Sequence, residues 1–169
     1  MATVELCDIV TEADRQAALA VRRAPGQERF VASVEKSFVD ALDGAEAYPQ
    51  MWTVNAADVV VGFVLICDGI PDEILVARDL IGPYFLWRLL IDERHQRQCY
   101  GTAALEALVA YLSTRPGADA LYLTCHPGDD GPQAFYERFG FVASGQIKWE
   151  EVVMRLDLPR ATGAGSATV

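Results

Sequence analysis

Residues 87–108 read WRLLIDERHQRQCYGTAALEAL, and their order decides the fold. The run from Tyr84 to Ile91 is almost wholly apolar, as in a strand covered on both faces. From Thr102 to Leu112, Ala104, Leu105, Leu108, Tyr111 and Leu112 recur at helical spacing, a stripe that packs as core. Between strand and helix lies a short loop carrying Arg94, His95 and Arg97, the one gathering of basic residues in the chain. Such a junction aims unpaired backbone amides at one point, where the helix dipole adds partial positive charge, so it suits a phosphate or pyrophosphate. The loop has neither the GxxxxGK[ST] of a Walker A site nor the GxGxxG of a dinucleotide fingerprint.

The flanks alternate in the same manner. Val4–Val10 reads as a strand. Thr11 and Asp14 make a helix start, with the helix predicted over Ala13–Arg23 until Pro25-Gly26 stops it. A second helix is predicted over Arg29–Leu42, where Phe30, Val34, Phe38 and Ala41 share a face, and Gly44 ends it. Met51–Asn55 and Val59–Cys67 form a hairpin around Ala56-Ala57-Asp58, and Gly62 marks a bulge or a close backbone approach. Ala120–Cys125 is a strand, Pro132 to Gly140 a short helix, and Phe141–Ser144 and Glu151–Leu158 the closing strands. The order β, α, α, β, β, β, α, β, α, β, β predicts one α/β (α+β) domain over residues 1–158, followed by a flexible tail, 159–169, of small polar residues.

The bulk numbers narrow the partners. At 169 residues one domain is expected, large enough for a core without disulfides or metal. Fourteen basic residues against 24 acidic ones give a net charge of −10, and no Lys/Arg run appears, which argues against nucleic acid. No apolar stretch approaches the ~20 residues of a membrane span, and the N-terminus lacks a signal-peptide pattern. The four cysteines, Cys7, Cys67, Cys99 and Cys125, show no paired spacing, so reduced thiols, no metal and a cytoplasmic location are expected.

Gln96-Arg97-Gln98-Cys99-Tyr100-Gly101 resembles the Q/R-x-x-G-x-G/A loop of the GNAT superfamily of N-acetyltransferases. The later Phe135-Tyr136-Glu137-Arg138-Phe139-Gly140-Phe141 resembles that superfamily's Tyr-x-x-x-Gly-Phe pattern. Gln27–Ser33, Val61–Val64, Phe85–Arg88 and Glu151–Leu156 are similar to the bacterial polyamine and diamine acetyltransferases. The resemblance implies a mixed, mostly antiparallel sheet of six to seven strands, with helices on both faces and a splayed central strand pair. It implies acetyl-CoA as co-substrate, with pantetheine along Leu89, Leu90 and Ile91. The pyrophosphate would then lie on the segment Gln96, Arg97, Gln98, Cys99, Tyr100, Gly101 and Thr102. It implies direct attack by the primary amine of a small, cationic, polyamine-like acceptor, with Tyr136 protonating the departing thiolate. Many members of the superfamily are dimers through their late strands.

Two positions depart from the pattern: Cys99 stands where the family has glycine, and Arg97 where many members have another. Glycine there permits positive φ, so a side chain costs on the order of 1 kcal/mol. The strand before the loop carries no carboxylate, which leaves the general base open among Glu28, Glu151, Asp92, His126 and a water relay. Trp149 beside Glu150 and Glu151 suits a cationic amine. The rival from another class is a non-catalytic acyl-CoA-binding or sensing module with a degenerate loop.

Overall fold

The computed structural model describes residues 1–128 and 130–159, so the expected tail lies outside the described residues except for Pro159. Seven strands form one sheet: β1 (Glu5–Asp8), β2 (Pro49–Ala56), β3 (Val59–Asp68), β4 (Tyr84–Ile91), β5 (Ala120–Cys125), β6 (Val142–Lys148) and β7 (Glu151–Asp157). Their spatial order is β1-β2-β3-β4-β5-β7-β6. Every neighbouring pair is antiparallel except β4 and β5, which run parallel.

Among the described residues the α-helices are α1 (Glu12–Leu19), α2 (Val34–Asp43), α3 (Asp72–Arg78), α4 (Tyr100–Leu112) and α5 (Gln133–Phe139). Thr11 and Asp14 close the capping box that starts α1. The helix stops at Leu19, short of the predicted Arg23, because long-range partners take over the backbone. The Arg22 amide donates to the Asp92 carboxylate at 3.1 Å, and the Arg22 carbonyl accepts from the Glu93 amide at 2.9 Å. α2 begins at Val34 and not at Arg29, because the Ser33 hydroxyl caps the Lys36 amide at 3.2 Å while Gln27–Arg29 forms a separate 3-10 turn. α3 is absent from the sequence reading. Its seven residues, none of them buried, are too few to show a period.

The helices divide between the faces. Ala18 of α1 and Val34, Phe38 and Ala41 of α2 pack on Phe63, Leu65 and Leu90. On the other face, Ala104, Leu105, Leu108 and Leu112 of α4 join Trp52, Ile66, Leu121 and Met154, with Phe135 and Tyr136 of α5 against them. A third, smaller cluster of Ala47, Cys67 and Ile70 lies under Leu80, Phe85 and Trp87.

Two irregularities open the middle of the sheet. Leu65 pairs with Arg88 and Ile66 with Leu86, which leaves Trp87 as the extra residue of a bulge in β4. The parallel β4–β5 pairing consists of the single match Phe85–Tyr122, so beyond it the strands diverge toward the C-terminal end of β4. Gly62 is the close approach expected of it: a Cβ there would lie 2.4 Å from the Leu90 carbonyl oxygen.

Candidate active site

The splay leaves a cleft of about 750 Å³ beside Leu89, Leu90 and Ile91. One end of it is the loop into α4. There both Arg97 (φ 61°) and Cys99 (φ 63°) adopt the left-handed backbone that glycine would take without strain, so the loop reaches its curve despite the two side chains. Cys99 is the N-cap of α4, and the first helical hydrogen bond runs from the Ala103 amide to the Cys99 carbonyl at 3.0 Å. The preceding amides of Tyr100, Gly101 and Thr102 stand at the open end of the helix and have no carbonyl to meet within it. Gly101 packs closely beneath α5, since a Cβ there would lie 3.1 Å from the Phe135 ring, which would have to yield by a few tenths of an ångström. These amides, the dipole behind them and the cleft-lining Arg97 and Arg138 fit a pyrophosphate.

The loop's remaining groups hold it in shape. Asp92 is wholly buried and accepts from the Arg94 amide (2.9 Å), Arg94 Nε (2.8 Å), Arg94 Nη2 (3.0 Å) and the Arg22 amide. The Arg94 hydrogen bond, outweighing burial, lowers its carboxyl to about 2. Asp92 is therefore an anchor, which removes it as a candidate base, and Arg94 is engaged with it and not offered to an anion. Gln96 is similarly occupied: its Nε2 donates to the Ile91 carbonyl (3.0 Å) and to Gln27 Oε1 (3.0 Å), tying β4 to the α1–α2 connection.

Tyr136 lines the same cleft from α5, its ring edge-on to Phe135 at 5.1 Å and Phe141 at 5.5 Å. Burial first, then the nearby Cys125 and Glu151, push its phenol well above the ordinary value. It is held in the protonated form that an acid requires.

A second cavity, of about 560 Å³, adjoins the first, and Arg29, Phe30, Val31, Trp87, Arg88 and Thr124 line both. Glu28 and Glu151, distant in sequence, both face it. Glu151 Oε1 stands 3.6 Å from His126 Nε2, and the His126 ring meets Phe30 edge-on at 5.8 Å. Arg88 extends from the bulge to Asp40 of α2 (Nη2–Oδ2, 3.1 Å), and its buried Nε has no hydrogen-bond partner. Burial lowers the guanidinium's pKa, with Asp40 acting in the opposite direction. The sequence reading placed the two glutamates as candidates. It did not anticipate that His126 meets one of them, nor that Ile70, Leu80 and Ile81 wall the cavity, because that wall depends on α3.

The comparisons with known proteins agree with this geometry. The model of the acetyltransferase (GNAT) family matches residues 16–141, and the chain belongs to that family. It is an acetyl-CoA-dependent N-acetyltransferase by class. No curated protein matches the chain in sequence. Among solved structures, it is similar to an aminoglycoside 6'-acetyltransferase type Ii (17% identity, TM-score 0.65, 94% of this chain and 99% of that one). It is also similar to the ribosomal-protein-S18-alanine N-acetyltransferase of Escherichia coli (20%, TM-score 0.61, 98% and 99%). A third is a ribosomal L7/L12 alpha-N-protein acetyltransferase solved in complex with coenzyme A (15%, TM-score 0.63, 94% and 96%). Identities this low speak for the fold, which they share over nearly its whole length.

Proposed function

We propose that the protein transfers the acetyl group of acetyl-CoA to a primary amine of a small acceptor, cationic before reaction, that enters the second cavity. The observation that carries this reading is the shared wall. The cavity holding Glu28, His126 and Glu151 shares Trp87, Arg88 and Thr124 with the cleft holding Tyr136 and the α4 amides. Acetyl-CoA supplies the activated acetyl thioester. The Tyr100–Thr102 amides and Arg97 bind its pyrophosphate, while the backbone of Leu89–Ile91 guides its pantetheine along the splayed edge. Glu28 and Glu151 draw the ammonium in, and Glu151, with His126 beside it, takes the amine's proton. Tyr136 returns a proton to the departing sulfur. Positioning of the two substrates supplies most of the rate. The acidic balance of the sequence supports a cationic acceptor, and four free thiols fit a cytoplasmic setting.

Replacing Tyr136 by Phe tests the reading. Acetyl-CoA affinity by calorimetry stays within about twofold, whereas CoA-thiol release with an amine falls about 10²-fold or more. Unchanged turnover removes Tyr136 from the mechanism. Acetyl-CoA binding by the unaltered protein without thiol release for any amine overturns acetyl transfer itself.

A further inference from the structure

The lining of the acceptor cavity is mostly apolar, and its charged side chains are few: Glu28, Arg29, Arg88, His126 and Glu151. Arg29 and Arg88 line both cavities, Glu28 adjoins Arg29, and His126 and Glu151 lie against each other two residues beyond the shared Thr124. Ala47, Cys67, Ile70, Leu80, Ile81 and Phe85 also line the cavity, with no carboxylate among them. Ala47, Cys67 and Ile70 are 8%, 5% and 3% exposed and form the small third core cluster. Burial pushes the Cys67 thiol up to about 12, with the nearby Arg88 guanidinium acting the other way.

The rim adds to this. Lys148 Nζ pairs with Asp79 Oδ1 at 3.0 Å and so joins the β6–β7 hairpin to the end of α3. The residues next to that pair, Trp149 and Leu80, both line the cavity. Trp149 is already covered by a cation of the chain itself, Lys148 Nζ lying 5.1 Å from its ring centroid.

We infer that the acceptor is a monoamine, one primary ammonium carried on an apolar aromatic or alkyl body. The amine end lies among Glu28, His126 and Glu151, and the body lies against Ile70, Leu80, Ile81 and Phe85. This inference rests on the acetyl-transfer reading and narrows its substrate class. A polyamine reaching the same depth would set a second ammonium among groups that offer it no partner, and an unpaired buried charge is strongly disfavoured. An apolar body instead gains by leaving water.

CoA-thiol release measured with 2-phenylethylamine, hexylamine, spermidine and a short peptide with a free N-terminus tests the inference. The two monoamines show kcat/KM about tenfold or more above spermidine and the peptide. Ile81→Glu, on a half-buried loop position outside the coenzyme cleft, lowers kcat/KM for 2-phenylethylamine about tenfold and raises it for 1,6-diaminohexane, with the KM for acetyl-CoA unchanged. A preference for spermidine or the peptide overturns the monoamine assignment and leaves acetyl transfer standing. An Ile81→Glu protein that still binds acetyl-CoA but keeps its monoamine preference overturns it too. Thiol release with none of the amines overturns both.

Discussion

At Cys99 the loop departs from the family pattern yet keeps the left-handed backbone that glycine would take. This residue sits at φ 63° as the N-cap of α4, where an L side chain is strained. Cys99→Gly relieves that strain but gives the unfolded chain more freedom, so the net gain is up to about 1 kcal/mol, a rise in Tm of about 2–4 °C by calorimetry. The thiol has a second consequence. Cys99 is exposed, whereas Cys67 and Cys125 are buried, with thiols pushed up to about 12 and about 11 by burial. Cys7 is raised by burial and by Glu5, Asp8 and Asp14. Labelling of the folded protein, followed by peptide mapping, is therefore fastest at Cys99 and is slowed by acetyl-CoA, since Cys99 lines the cleft proposed for the coenzyme. Labelling that is no faster there than at Cys7 contradicts this.

Among the elements, the loop between β4 and α4 depends on a single buried carboxylate. Asp92→Asn keeps the size but loses the charge-assisted bonds to Arg94 and the Arg22 amide, at a cost of about 2 kcal/mol or more in urea unfolding. The folded carboxyl titrates at about 2, below its ordinary 3.8. Its contribution to stability is therefore complete above that ordinary value and is lost as pH falls through about 2, a loss absent from the Asn variant. The sheet has a comparable pivot in Gly62. A methyl group 2.4 Å from the Leu90 carbonyl forces β3 and β4 apart just where β4 lines the cleft proposed for the coenzyme. Gly62→Ala therefore costs about 3 kcal/mol by denaturation and raises the KM for acetyl-CoA.

Across the whole molecule, Asp40 and Arg88 join the outer helical layer to the strand beneath both cavities. Both side chains are largely covered, at 17% and 20% exposure. Removing the carboxylate strands a guanidinium whose Nε already has no partner, so Asp40→Ala costs about 2–3 kcal/mol. Arg88→Met costs less, because Asp40 keeps its contact with Lys36 and the methionine fills the space. Equal losses in urea unfolding would show that the pair matters only as packing.

Much of this arrangement was legible in the chain. The apolar Tyr84–Ile91 run, the Thr11–Asp14 box and the Leu105–Leu108–Leu112 stripe encode their elements locally, through periods and caps acting over a few residues. The loop motif and the pattern around Tyr136 are visible in the chain because their spacing is itself sequential. The rest required distant groups to meet. α1 ends early because Asp92, seventy residues on, takes its backbone, and Asp92 becomes an anchor in the same contact. Glu151 and His126 become a pair only when β5 and β7 align, and Arg88 faces the cavities only because Trp87 bulges. Local patterns are written in neighbouring residues, whereas the wall of the second cavity and its charges follow from the three-dimensional packing that brings separate elements together.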